Sequence, residues 1–293
     1  MRPTPASTPT ALRSRPICSG TSVQVHDVHC RACRGRHAGA DEWVPDTRIV
    51  IAYRGTFLYR AGRRASLADP NRALAFNAGE EYGIDHPAEH GDSCLSIRFA
   101  PGRLREIAGD GAGGAAQGDR LLRPAWPVDA RSQWLAARLR ASGSPADPLR
   151  AEELALALAR RILRPEAAPG RRRTGPGRQR LIERTRLLLQ EDPGRRWTLG
   201  DLATEVGASP VYLTQCFGQV EGIPLYRYQT HLRLARALEQ LPRADDLAAL
   251  ALAHGFSGHS QFTAAFRRAY GLTPSAARAA LRATMVRPVR GGR

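Results

Sequence analysis

The run "AHGFSGHSQFTAAFRRAYGLTPSAAR", residues 253–278, decides what the C-terminal half of this chain is. Gly255 suits a helix stop, Ser257 suits the cap of the next helix, and Phe262 and Phe266 stand four residues apart on one inward face. Just upstream, Leu247, Leu250 and Ala251 make the apolar face of a preceding short helix. Two short helices joined by a tight turn are a helix-turn-helix.

The same grammar occurs earlier, in "WTLGDLATEVGASPVYLTQCFGQVEG" at residues 197–222. Thr198 followed three residues later by Asp201 resembles a capping box. Leu199, Leu202, Ala203 and Val206 form one apolar face, Gly207 suits the helix end, and Ser209-Pro210 supplies a cap and a first-turn proline. Leu213 and Phe217 then point inward. One such unit is a weak signal, but two in tandem, separated by a long helical pattern over residues 225–241, are much harder to obtain by chance.

With these residues in view, the C-terminal run resembles the AraC/XylS family of bacterial transcription regulators, and "LATEVGASPVYLTQCF" and "YRYQTHLRLARALEQL" are similar to the family's preceding segments. The resemblance covers residues 178–282. It rests on helix order, on the Gly255-Phe256 pair and on the Gly-Leu-Thr-Pro segment ending at Pro274. It implies a seven-helix domain whose two recognition helices enter successive major-groove segments of double-stranded DNA. It also implies a cupin-like barrel with a dimerising helical pair ahead of that domain, and many relatives are activators that contact RNA polymerase.

At about 100° per residue, setting Leu213 and Phe217 inward leaves Val211, Thr214, Gln215 and Gly218 on the opposite arc. Phe262 and Phe266 inward leave Ser260, Thr263, Ala264 and Arg267 outward, with Gln261 beside them and His259 in the first turn. Gln215 and Gln261 suit bidentate pairing with adenine, and the methyl groups of Val211, Thr214, Thr263 and Ala264 suit thymine methyls. Gly218 and Ala264 stand where many relatives carry Lys or Arg, which shifts weight to DNA shape or to a second protomer. For each of these the alternative is a solvated helix face. Arg171, Arg172, Arg173, Arg195, Arg196, Arg267 and Arg268 are candidate phosphate partners, or ordinary surface charge in an arginine-rich chain.

Composition agrees with a polyanionic partner. The 293 residues carry a formal charge of +17 and suffice for two domains. There is no lysine, so the positive charge is all arginine, which partly reflects coding bias. Residues 171–293 hold twenty arginines against nine acidic groups, making this part the stronger polyanion binder. The first seventeen residues lack the apolar run of a signal peptide, and no segment is long and apolar enough to span a bilayer. The expectation is a cytoplasmic protein without a membrane partner, whose five cysteines are reduced thiols or metal ligands.

Ahead of the helical half, "RIVIAY", "TFLYR", "RALAF" and "SCLSIRF" recur between turn signals over residues 48–99, as in a small antiparallel barrel or sandwich. "GDGAGGAAQG" at residues 109–118 reads as a flexible loop. Residues 126–139 and 149–163 read as apolar-faced helices, Pro148 opening the second and Pro165 closing it; they form a homodimer interface or cap the barrel. The expected fold class is thus α+β: an N-terminal cupin-like antiparallel β-barrel with a helical pair over residues 1–164, a linker over 165–177, and an all-α tandem helix-turn-helix domain over 178–293.

"HDVHCRACRGRH" places Cys30 and Cys33 among His26, His29 and His37, and "EYGIDHPAEHGDSCL" brings His86, His90, Asp92 and Cys94. Cys30, Cys33, His86 and Cys94 make a candidate zinc set, since such a site needs convergent thiolate and imidazole donors. The vicinal pair equally suits a redox or electrophile sensor, or reduced thiols on a strand edge. Cys216, beside inward Phe217, reads as a small core residue, and Cys18 as part of an irregular arm. No nucleophile with a spaced base or carboxylate pair stands out. The expected function is an effector-responsive, non-enzymatic transcription activator that binds specific DNA and a small-molecule effector. Alternatives are a thiol-based or DNA-repair regulator that takes alkyl groups on Cys30 or Cys33, and a metal-dependent barrel enzyme fused to a DNA-binding module.

Overall fold

The computed structural model describes residues 12–31, 35–36, 42–62, 64–87, 91–109, 115–142, 147–164, 175–191 and 195–285. Its strands are β1 (Leu12–Ser19), β2 (Val23–Cys30), β3 (Gly35–Arg36), β4 (Glu42–Trp43), β5 (Arg48–Arg54), β6 (Phe57–Ala61), β7 (Arg64–Ala68), β8 (Arg72–Phe76), β9 (Glu81–His86), β10 (Asp92–Phe99), β11 (Ala116–Gln117), β12 (Arg120–Leu121) and β13 (Ala125–Pro127). Its α-helices are α1 (Arg103–Ala108), α2 (Ala130–Ala141), α3 (Pro148–Leu163), α4 (Pro176–Glu191), α5 (Leu199–Val206), α6 (Pro210–Glu221), α7 (Leu225–Gln240), α8 (Leu247–Ala253), α9 (His259–Tyr270) and α10 (Pro274–Met285).

The strands make a six-stranded antiparallel sheet in the order β1-β2-β10-β5-β8-β13 and a second sheet in the order β3-β9-β6-β7, with β4 also on β9. The larger sheet is covered on both faces, which is why its strands read as near-continuous apolar runs. Residues of one parity, among them Val25, Ile49, Ile51, Leu95 and Ile97, enter a core shared with α1 and α3. Their neighbours of the other parity, among them Val50, Leu74, Phe76 and Cys94, face the second sheet and its Phe57 and Tyr59. A one-residue slip of β5 or β10 would exchange these two sets, so register is strongly fixed. The two ladders do not join into one hydrogen-bonded cylinder among the described residues.

Several sequence expectations need correction. The segment around Cys18 is not an irregular arm: β1 pairs with β2 through a bulge between Pro16 and Cys18, and Cys18 is buried. Trp126 is not helical but lies fully buried in β13, opposite Ala73 of β8. The helix after it begins at Ala130, where the Asp129 side chain accepts from the Ser132 amide. The other helix begins at Pro148 as expected. Most of the loop expected over 109–118 and of the linker over 165–177 lies outside the described residues.

The two expected dimerisation helices are used inside the chain. α3 lies on the large sheet, and α2 packs between α3 and the C-terminal helices, giving Ala137 and Ala141 to the core around Phe262 and Phe266. A buried polar chain ties the halves together. Arg186 of α4, Asp69 after β7 and Tyr228 of α7 form one knot: Tyr228 Oη donates to Asp69 Oδ2 at 2.6 Å, and Arg186 Nε lies 3.0 Å from the same oxygen. Both charged side chains are wholly excluded from solvent, and Arg186 Nη2 also donates to the Leu67 carbonyl. Asn71 then donates to the Tyr228 carbonyl and accepts from Gln133 of α2, whose Oε1 accepts from Tyr270 Oη at 2.9 Å. Removing one member of such a buried pair leaves an uncompensated charge.

Candidate nucleic-acid interface

Both helix-turn-helix units are built by the same backbone device. In the first, Gly207 takes φ 69° at the end of α5, and the Ala208 amide reaches back to the Ala203 carbonyl at 2.9 Å. In the second, Gly255 takes φ 76° after α8, and the Phe256 amide reaches the Ala251 carbonyl at 3.0 Å. This left-handed cap closes the last turn and redirects the chain, and glycine adopts it without the Cβ penalty. Each recognition helix, α6 or α9, then leaves its turn with its apolar stripe inward.

The first unit follows its local code closely. Thr198 and Asp201 form a reciprocal capping box, and Ser209 caps α6 by accepting from the Tyr212 amide. Leu213, Cys216 and Phe217 are buried, so Cys216 is a core residue. Leu199, expected on the apolar face, is 41% exposed because it is the first residue of α5 and lies above the core. The second unit departs at its cap. α9 is preceded by Gly258 with no side-chain cap, and Ser257 instead donates through its amide and hydroxyl to Gln261 Oε1 at 2.7 and 3.1 Å.

On α6, Val211, Thr214 and Gln215 are exposed and Gly218 is half-buried; on α9, His259, Ser260, Gln261, Ala264 and Arg267 are exposed and Thr263 is half-buried. Thr214 Oγ1 donates to the Pro210 carbonyl at 2.9 Å. Thr263 Oγ1 is 3.3 Å from His259 Nε2. Gln261 must leave Ser257 before it can pair bidentately with adenine. Tyr212, exposed beside Val211, is absent from the expected contacts because it falls 100° from Leu213, at the edge of the outward arc.

The arginines divide. Arg267 and Arg268 are exposed. Arg196 is a strut, donating from Nη2 to the Phe256 carbonyl at 2.9 Å and so tying the first unit to the turn of the second. Arg195 stacks on the Trp197 ring at 3.6 Å. Arg171, Arg172 and Arg173 lie outside the described residues. Behind the second turn, His254 is buried, and burial together with the nearby Arg236 lowers its pKa to about 4, so the ring is neutral near pH 7.

The candidate metal residues lie in the other half, at a cavity of about 660 Å³ between the two sheets. Cys30 and His86 come together there, and Asp92, read only as a neighbour in the sequence, joins them; their ligating atoms all lie within 4.8 Å of one another. Cys94 is on the same wall but outside that triplet, and burial pushes its thiol well above the usual range. Cys33, His37 and His90 lie outside the described residues. Spacing places Asp92 on the same strand face as Cys94, two residues on, but its meeting with Cys30 follows from the β10–β2 register.

The C-terminal part of the chain is similar in sequence to known proteins. Residues 202–280 match the family model described as a helix-turn-helix domain. Over 100 residues the chain is 31% identical to the HTH-type transcriptional regulator ExsA of Pseudomonas aeruginosa, covering 34% of this chain and 36% of that protein. Over 97 residues it is 32% identical to the virulence regulon transcriptional activator VirF of Yersinia enterocolitica, covering 33% and 36%. The match thus spans little more than a third of the length of these curated relatives. Among solved structures, an AraC-type DNA-binding-domain transcriptional regulator from Chromobacterium violaceum is 28% identical over 36% of this chain and 96% of its own, with a TM-score of 0.34. ToxT from Vibrio cholerae is 10% identical over 89% of this chain and 99% of its own, also with a TM-score of 0.34. Residues 202–280 are thus a helix-turn-helix domain, similar in sequence to those of AraC-like transcription regulators.

Proposed function

We propose that the chain is a sequence-specific DNA-binding transcription regulator, acting as an effector-responsive activator. The observation that carries this reading is the pair of recognition helices, α6 and α9, each seated by the same glycine-closed turn and each presenting polar side chains to solvent on a strongly basic half. Gln215 and Gln261 read adenine edges, Val211, Thr214, Thr263 and Ala264 touch thymine methyls, and Arg267 with Arg268 neutralises phosphates. His259, Ser260 and Gly218 lie on the approach surface.

The N-terminal half, 1–164, is the regulatory part in this reading, a cupin-like unit whose inter-sheet cavity admits a small-molecule effector. Arg48 and Arg98 on the cavity wall supply donors for a polar group, and the buried Arg186–Asp69–Tyr228 knot is the physical link by which occupancy there reaches residues 178–293. Such a regulator works in the cytoplasm, contacts RNA polymerase, and uses a surface other than the consumed faces of α2 and α3 if it forms a homodimer. The reading involves no enzymatic step. No described helix is long and apolar enough to cross a membrane.

Genome-wide DNA capture with the purified protein, beside a Gln215→Ala, Gln261→Ala double variant, tests it. The expected result is a shared motif of two submotifs about one helical turn apart, weakened in the variant. Enrichment without a motif, unchanged by the substitutions, would refute specific reading.

A further inference from the structure

We propose that Cys30, His86 and Asp92 form a zinc site at the inter-sheet cavity. This goes beyond the DNA-binding reading and rests only on the N-terminal half.

Three features of the fold converge on it. Cys30 ends β2 and Asp92 opens β10, and the ladder register makes the two direct cross-strand partners, so their side chains share the cavity-facing side of the large sheet. His86 ends β9 in the opposite sheet, and its Nε2 lies 2.7 Å from Asp92 Oδ2. The donors thus come from both sheets across the gap, with His86 and Asp92 buried and Cys30 half-buried. The backbone is shaped to bring them there. Gly91, at φ 62°, lies so close to β2 that a Cβ would sit 2.2 Å from the Cys30 carbonyl oxygen, and a Cβ on Gly55 would sit 2.2 Å from the Gly91 oxygen. Two glycines therefore let the backbone press together around the ligands.

The donor set selects the metal. A thiolate and an imidazole favour zinc over calcium or magnesium, which take oxygen ligands, and one carboxylate completes a three-ligand zinc set with distances of roughly 2.0–2.3 Å. Donor atoms within 4.8 Å of one another can all reach one ion of that radius. Loading displaces the Cys30 thiol proton to solvent and replaces the His86–Asp92 hydrogen bond with metal bonds, the imidazole staying neutral as its Nε2 proton is lost and Nδ1 carries the remaining one. Three protein ligands leave a fourth tetrahedral position, and since all three line the cavity, water or an exogenous donor in the cavity fills it.

Chelator-stripped full-length protein titrated with cobalt(II), then with zinc, tests the site. The expected result is one equivalent of cobalt with a thiolate-to-metal charge-transfer band, displaced by zinc, abolished in Cys30→Ser and His86→Ala, and weakened about 10- to 100-fold in affinity in Asp92→Asn. No thiolate band in the wild type, or a band of full intensity in Cys30→Ser, would overturn the assignment. Because a variant can fail to fold, a second readout uses the wild type alone: zinc should slow alkylation of the Cys30 thiol, followed by peptide mass. An unchanged alkylation rate at saturating zinc would equally overturn it. Neither readout involves DNA, so failure here leaves the regulator reading standing and failure of DNA capture leaves this one standing.

Discussion

The two helix-turn-helix units share a turn but are secured differently. The first is held by local signals, a capping box at Thr198 and Asp201 and a serine cap at Ser209, with one charged knot joining it to the N-terminal half. The second has no side-chain cap on α9 and is held by long-range packing: Phe256, Phe262, Phe266 and Tyr270 stack in succession, α2 covers them, and Tyr270 reaches Gln133. The difference teaches that one supersecondary shape can be reached from opposite ends, by side chains that cap their own helix or by a core that leaves the helix no other place.

The knot and the aromatic stack are where this contrast breaks hardest. Asp69→Asn leaves Arg186 charged and buried, and should cost about 3–5 kcal/mol of the stability of the whole chain in denaturant unfolding. A loss under about 1 kcal/mol would mean that water reaches the knot. Phe262→Ala removes a fully buried ring from the second unit and should likewise cost about 3–5 kcal/mol. If the second unit depends on long-range packing, this variant should also loosen α2, seen as faster amide exchange in that helix.

A smaller effect separates the units by pH. His254 titrates near 4 when folded, against 6.5 for an ordinary histidine, so the unfolded chain takes up a proton at pH values where the folded one does not. The neutral ring therefore costs nothing above about pH 6.5, and stability falls as pH drops toward 4, by up to about 3 kcal/mol. Unfolding of the wild type against His254→Gln between about pH 4 and 7 checks this, and parallel pH curves would reject it. Smallest is Thr198→Ala, which removes the first unit's capping box and should cost about 1 kcal/mol in the same unfolding measurement. In the second unit α9 has no side-chain cap and sets the baseline: Ser257→Ala should cost less, and an equal cost would erase the contrast.

Most of the C-terminal fold is legible because its signals are short-range. Gly207 and Gly255, Thr198 with Asp201, Ser209-Pro210 and the paired aromatics at four-residue steps act within one or two turns, and a helix needs little else to declare its ends. Strands declare themselves less well: β5, β6, β8 and β10 stand out, while β1, β2 and β9 carry polar residues on the cavity side that break the apolar pattern. Trp126 reads as helical because an apolar residue just before a turn looks the same in a strand or a helix until its partner, Ala73, is known.

The sequence by itself placed the two recognition helices, the Ser209 cap of α6 and the inward and outward faces of both, since backbone caps and a 3.6-residue period are properties of adjacent residues. Only the tertiary structure decided that Gln261 is engaged by Ser257, that Arg196 reaches the Phe256 carbonyl and Arg186 the buried Asp69, that α2 serves two cores, and that Asp92 stands with Cys30 and His86. Most of these join residues by strand register or by packing across the chain, and the free energy that selects them is long-range burial and charge pairing, which leaves no mark on neighbouring letters.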